Sequence, residues 1–212
     1  MKKSERSKSK RPAARKAAKS RRKPIMRHSR EGARRRSKGG ASRKAASAPA
    51  AHLKRQFLDR FSSEFPTTLK LMRAYPSGQD HFRPHERSQP AVKLVHTFTV
   101  ENRVGVDALR GDLTMPPAFP PAPATLAEAV AAYEEGAQAL IDTLRETPEE
   151  RLFETVPFFT GPKQVGPVPV IDLLWQLLSD AIHHRGQLSV YVRMAGGRVP
   201  SIYGPSADEP WM

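Results

Sequence analysis

The chain has 212 residues, a formal net charge of +15 and no cysteine, which excludes disulfides, thiolate metal sites and cysteine catalysis and fits a reducing compartment. No run of about 18 apolar residues occurs, so no segment is expected to cross a membrane, and the N-terminus lacks the apolar stretch of a secretory signal. The charge is uneven: residues 1–55 hold 22 Lys and Arg against 2 acids, a net of +20, whereas residues 56–212 carry a net of −5.

Residues 1–50 are Lys, Arg, Ser, Ala and Gly in simple alternation and have no apolar surface to bury, so a disordered basic arm is expected there, followed by one folded domain over 51–212. Such an arm binds polyanions through counterion release without reading sequence. It holds no aromatic residue, so base stacking adds nothing. The alternatives are a solvated tail or an upstream start. A transit peptide fits poorly, because Ile25 and Met26 are the only sizeable apolar residues between Met1 and Leu53.

From about His52, residues Leu53, Phe57, Phe61, Phe65, Leu69 and Met72 recur at spacings of three and four, the signature of an amphipathic helix. Pro66 is expected to kink or divide it, and Tyr75, Pro76, Ser77 and Gly78 end it. His81 and His85 lie in the connector that follows, where Pro84 forbids a regular helix between them, so they read as loop residues. Ser88 is a plausible cap for a second helix in which Val92, His96, Thr99, Arg103 and Val106 share a face and Gly111 is the stop. A lone histidine such as His96 is by itself an ordinary core residue.

A Pro-rich connector leads to Thr125, which with Glu128 forms a capping box for a third helix carrying Leu126, Val130, Tyr133, Ala137, Leu140 and Leu144. Thr147–Glu150 has the form of a second capping box and starts a short extra turn. Residues 152–169 are too broken by Gly and Pro for a helix and read as a long loop or a short hairpin, with no convincing strand pattern. The fourth helix starts near Pro169 and ends at Gly196-Gly197, and the tail beyond should pack back as extended chain. The expected fold is all-α, a four-helix bundle.

The fourth helix places Leu173, Leu177, Asp180, His184, Leu188 and Tyr191 on one stripe. A carboxylate and an imidazole on a core stripe must be paired, hydrogen-bonded or metal-bound. Spaced i and i+4, Asp180 and His184 face the same way as helical ligand pairs do, and His96 is the only other histidine on a core stripe. Together they would make a two-histidine, one-carboxylate set with open positions, a catalytic arrangement. The alternative is an Asp180–His184 hydrogen bond that merely fixes the helix. His183 lies about 100° round the helix and faces away. Tyr191 reads as a core tyrosine with a hydrogen-bonded tip.

The run HHRGQLSVYVRMAGGRVPSIYGPSADE resembles the C-terminal signature of DinB/YfiT-like proteins, and FPTTLKLMRAYPSGQDHFRPHERS and LVHTFTVENRVGVDALRGD resemble their first and second helices. The resemblance covers Leu53 to the C-terminus and leaves the arm out. It implies a bacterial, cytoplasmic four-helix bundle with a metal triad of one histidine on the second helix and an H-x-x-x-H pair on the fourth. Carried over, the ligands fall on His96, Asp180 and His184, with Asp180 departing from the family's histidine. An aspartate oxygen is a harder donor and moves preference toward Mn²⁺, Fe²⁺ or Ni²⁺ relative to Zn²⁺.

The implied activity is that of a metal-dependent thiol transferase, isomerase or hydrolase, in which Lewis-acid activation presents a thiol or water as nucleophile and the substrate is a small molecule or low-molecular-weight thiol. Glu101 is a candidate base, and Arg185 and Gln187 are expected to brace helix packing and the tail. The competing expectation is a non-catalytic metal-binding bundle, tethered to DNA or RNA by residues 1–50 and therefore nucleoid-associated. A second copy of the chain is a further candidate partner.

Overall fold

The computed structural model describes residues 39–212; the expected disorder of residues 1–38 lies outside the described residues. Its elements are α1 (Gly39–Arg73), α2 (Ala91–Arg110), α3 (Leu126–Glu146), a 3-10 turn (Glu149–Phe153), β1 (Thr155–Gly161), β2 (Gln164–Pro169) and α4 (Val170–Met194). α1 and α2 each pack on both α3 and α4, so α1 stands diagonally opposite α2 around one core. None of the described helices is long and apolar enough to cross a membrane.

α1 begins at Gly39, where alanines and basic residues of high helix propensity run up to buried Ala50. Two expectations are corrected. Pro66 does not divide α1: Phe57, Phe61, Leu69 and Met72 on both sides of it are buried in one core, and that packing outweighs the one backbone bond it removes. The chain is not purely α, because residues 155–169 form an antiparallel hairpin with Val156 opposite Val168 and Phe159 opposite Val165. Pro157 and Pro167 sit opposite each other in it. A two-stranded sheet consists only of edges, which is where proline is tolerated in strands.

Long-range caps tie the helix ends to other elements. The Thr125–Glu128 capping box forms as expected, and Asp80 Oδ1 accepts a further bond of 2.6 Å from the Leu126 amide. Lys54 Nζ donates to the carbonyl oxygens of Arg145 (3.0 Å) and Thr147 (2.5 Å) at the end of α3. Arg151, on the 3-10 turn, donates to Leu109 O (3.1 Å) and Ala108 O (2.5 Å) at the end of α2. Both place a cation where a helix leaves its carbonyls unpaired and its dipole is negative. Gly111 closes α2 with φ 88°, as the sequence suggests, but the N-cap is Pro90 rather than Ser88. Thr147 is the C-cap of α3 and its hydroxyl donates back to Thr143 O (2.7 Å), so the second capping box does not form.

The tail returns along the bundle. Asp208 Oδ2 accepts from the Val199 amide (2.8 Å) and pairs with Arg193, and Glu209 Oε2 accepts from Lys70 Nζ (2.7 Å) and the Ser201 amide (2.8 Å). These bonds hold residues 198–209 against the ends of α1 and α4.

Candidate metal centre

The face of α2 that meets α3 and α4 runs through Leu94, Phe98, Glu101, Gly105 and Ala108, all buried. Gly105 lets the helices close up: a Cβ there would stand 3.0 Å from Leu140 Cδ1 and 3.4 Å from Leu174 Cδ2. One turn before it, the same face carries Glu101, whose side chain is only 7% exposed. The facing residue on α4 is His184. Its Nδ1–H donates to Glu101 Oε1 at 2.9 Å, and Phe98 meets the imidazole ring edge-on at 6.0 Å.

Asp180 completes the group from the rim. Its side chain is 54% exposed, and Oδ1 lies 4.0 Å from His184 Nδ1, too far for a hydrogen bond. The hydrogen-bonded Asp180–His184 pair therefore does not form; His184 spends that nitrogen on Glu101. Nor is the α4 stripe buried throughout, since Leu173, Leu188 and Tyr191 are buried whereas Asp180 faces solvent.

Glu101, Asp180 and His184 each offer a ligand atom within 4.8 Å of the others, the one such group among the described residues. Burial pushes the Glu101 carboxyl up to about 7, against the pull of His184, and the Asp180 charge adds to the rise. The hydrogen bond to Glu101 raises His184 above its ordinary value, against burial. Glu101 Oε2 is buried with no hydrogen-bond partner. Two carboxylates and an imidazole, with one carboxylate oxygen unsatisfied, fit a divalent cation, which supplies the charge that burial withholds.

Of the expected ligands, the structure brings Asp180 and His184 together and leaves His96 apart. His96 Nε2–H donates to Pro120 O (3.2 Å) in the Pro-rich connector, and its Nδ1 is buried without a partner. The other histidines behave as read: His183 is exposed beside Gln187, and His85 Nδ1 accepts from the Arg87 amide in the connector. Tyr191 donates to Gln89 O at 3.0 Å. Glu101 was legible as a base and not as a ligand; the missed signal is a lone carboxylate in the Leu94, Phe98, Gly105 spacing.

With this geometry in place, comparison with known proteins is informative. The sequence profile described as the DinB superfamily matches residues 60–188, more than half of the chain. The chain belongs to the DinB superfamily. The match runs from α1 through the Asp180–His184 turn, so all three residues of the candidate metal group lie inside the DinB region. The uncharacterized protein YrdA of Bacillus subtilis (strain 168) is 30% identical over 108 residues, covering 50% of this chain and 62% of that protein. Among solved structures, the DinB-like protein YjoA of B. subtilis is 23% identical over 74% of this chain and 99% of its own, with a TM-score of 0.56. A DinB-like protein of Bacillus cereus ATCC 10987 is 20% identical over 69% and 95%, with a TM-score of 0.58. At those identities the DinB-like structures share the fold with this chain.

Proposed function

We propose that Glu101, Asp180 and His184 hold one divalent metal ion and that the chain is a metal-dependent enzyme acting on a small molecule, with a thiol or water as nucleophile. The observation that carries this reading is that Glu101, Asp180 and His184 each offer a ligand atom within 4.8 Å of the others, with Glu101 buried at the centre of the bundle. When bound, a divalent ion supplies Lewis acidity, which favours the deprotonated form of a thiol or water. The chain itself contributes a buried carboxyl near 7, suited to taking up a proton, and an exposed aspartate at the open side, where a substrate enters. Two carboxylates with one imidazole are harder than a two-histidine set and favour Mn²⁺ or Fe²⁺ over Zn²⁺ and Ni²⁺.

Metal analysis of the full-length protein purified without chelator tests this. Close to one ion per chain is expected in the parent and in His96→Ala, with loss of stoichiometric metal in Glu101→Ala and His184→Ala and weakened retention in Asp180→Ala. Retention by Glu101→Ala together with loss in His96→Ala would overturn the ligand set.

The charge distribution favours a second role alongside the first. A net of +20 within residues 1–55 suits a polyanion, and the remaining residues, at −5, do not compete for it. Nucleic-acid binding is expected to be independent of sequence and to fall about 1,000-fold or more between 50 and 200 mM salt, as for contacts to several phosphates. It is expected to vanish when residues 1–38 are removed. Fluorescence anisotropy with two unrelated duplexes reads both effects, and a flat salt response would remove the role.

A further inference from the structure

The hairpin β1–β2 is apolar on both faces. Val156 is buried, and Phe158 and Val168 pack on the core, so these inward positions seat the hairpin on the bundle. The positions that alternate with them point outward, and on an ordinary half-buried strand they are polar. Here they are Pro157, Phe159, Val165 and Pro167, all exposed, and they stand in two adjacent cross-strand pairs, Pro157 with Pro167 and Phe159 with Val165. Phe159 and Val165 are 49% and 52% exposed, and Phe153, just before the hairpin, is 50% exposed. An apolar face left together on the surface marks an interaction site.

The chain that leads into this face is acidic. Residues 146–154 hold four glutamates against one arginine. Arg151 donates to the end of α2 and pairs with Glu154. Among the described residues, Glu146, Glu149 and Glu150 have no ion-pair partner. Glu150 and Phe153 are three apart on the 3-10 turn, a spacing at which side chains lie over one another, so acid and ring share a side. Within residues 155–169 the one charged side chain is Lys163, at the turn.

These features select among occupants. The glutamates repel nucleic acid and anionic lipid. A second copy would bring the same glutamates, on a body of net −5 over residues 56–212, to the contact. An added strand is disfavoured, because a proline on each strand removes a backbone donor from its free edge. A segment that docks through side chains, carrying both apolar anchors and positive charge, suits the face. An amphipathic helix with anchors at i, i+3, i+4 and i+7 and Lys or Arg on its flanks has that form. We propose that the outer face of the hairpin is a docking site for such a cationic amphipathic helix of a partner protein, with its anchors on Phe159 and Val165 and its cations beside Glu149 and Glu150. The metal reading plays no part in this.

The probe is a fluorescein-labelled amphipathic helix built only of leucine and lysine, titrated with the full-length protein and read by fluorescence anisotropy. Saturable binding is expected, about 10-fold tighter than that of a counterpart with glutamine in place of every lysine. Phe159→Ser combined with Val165→Thr is expected to weaken it about 10-fold or more, as the loss of apolar anchors does. Glu149→Gln combined with Glu150→Gln is expected to weaken it about 3-fold at low salt and not at high salt, where charges are screened. The second pair leaves the hairpin untouched and tests the site even if the first pair disturbs its fold, which melting curves of the variants read. No saturable binding by the parent, equal binding of the two peptides, or parent-like binding by both variants overturns the proposal. So does concentration-dependent dimerisation that Phe159→Ser abolishes, which gives the face to a second copy.

Discussion

Replacing Arg185 with alanine is expected to lower the free energy of unfolding by about 3–5 kcal/mol, measured by urea or guanidinium unfolding. Arg185 follows His184 in the chain but points about 100° away, into the contact between α4 and α1. Its side chain is 2% exposed, and Nη1 lies 2.6 Å from Glu64 Oε2, itself buried. Nη1 also donates to Thr68 Oγ1 (3.1 Å), and Nη2 donates to Tyr203 OH, which in turn donates to Glu64 Oε2 at 2.8 Å. The guanidinium stacks on the Tyr203 ring with 4.8 Å between its carbon and the ring centroid. One side chain thus joins α4, α1 and the returning tail.

The expected loss comes from what the truncation leaves behind. Glu64 stays buried, and its remaining charged partner, Arg60 at 2.6 Å, is half exposed and a weaker neutraliser. Removing both charges with Arg185→Met and Glu64→Met together is therefore expected to cost much less than Arg185→Ala alone, because well-packed apolar side chains replace a buried pair at little net loss. Arg185→Lys keeps the charge and loses the second arm of the fork and the ring stacking, so an intermediate loss is expected. If Arg185→Ala unfolds within about 1 kcal/mol of the parent, the network is not what holds the tail and α4 to α1.

The same few residues mark how far the sequence could be read. Most local signals hold: Thr125 and Glu128 make their capping box, Gly111 and Gly196 take left-handed conformations at or just past helix ends, and Arg185 braces the tail, whereas Ser88 and Thr147 do not supply the N-caps expected of them. Each depends on residues close in sequence or on one recognisable motif. α2 went differently because two stripes compete on it. The stripe through His96 and Arg103 has the period of a buried face, yet Arg103 is exposed and paired with Asp107. The stripe through Leu94, Phe98, Glu101 and Gly105 is the buried one. Choosing between them requires knowing which neighbours α2 meets, and that is set by partners such as Leu140 and Leu174 far along the chain. The hairpin was obscured for a related reason: Pro157 and Pro167 break the strand pattern, and only their opposition in register makes them harmless.

Mn²⁺ affinity is expected to fall steeply as pH drops from about 8 to about 5, approaching a factor of about 100 per pH unit at the acid end, because the ion must displace protons from two groups. Those groups are Glu101, which burial raises to about 7, and His184, raised by its bond to Glu101. In the metal-free protein the same protons stabilise the fold. Glu101 binds its proton more tightly folded than unfolded, so its contribution is fully present below its usual 4.5 and is lost as pH rises through about 7. The His184 contribution is likewise present below its usual 6.5 and lost as pH rises through its higher folded value. Asp208, lowered chiefly by the Val199 amide, and Glu209, lowered chiefly by Lys70, act in the opposite sense, but in the acid range below their ordinary values of 3.8 and 4.5. Above about pH 5 the two trends therefore separate. The melting temperature of the metal-free protein is expected to fall toward pH 8, while the increment on adding saturating Mn²⁺ grows over the same range, since a ligand that binds only the folded state stabilises it in proportion to the logarithm of its occupancy term. Glu101→Gln, which cannot ionise, is expected to flatten the first trend and to abolish most of the second. Parallel melting curves with and without Mn²⁺ from pH 5 to 8 read both, and an increment that does not change with pH would mean that Glu101 and His184 do not hold the ion.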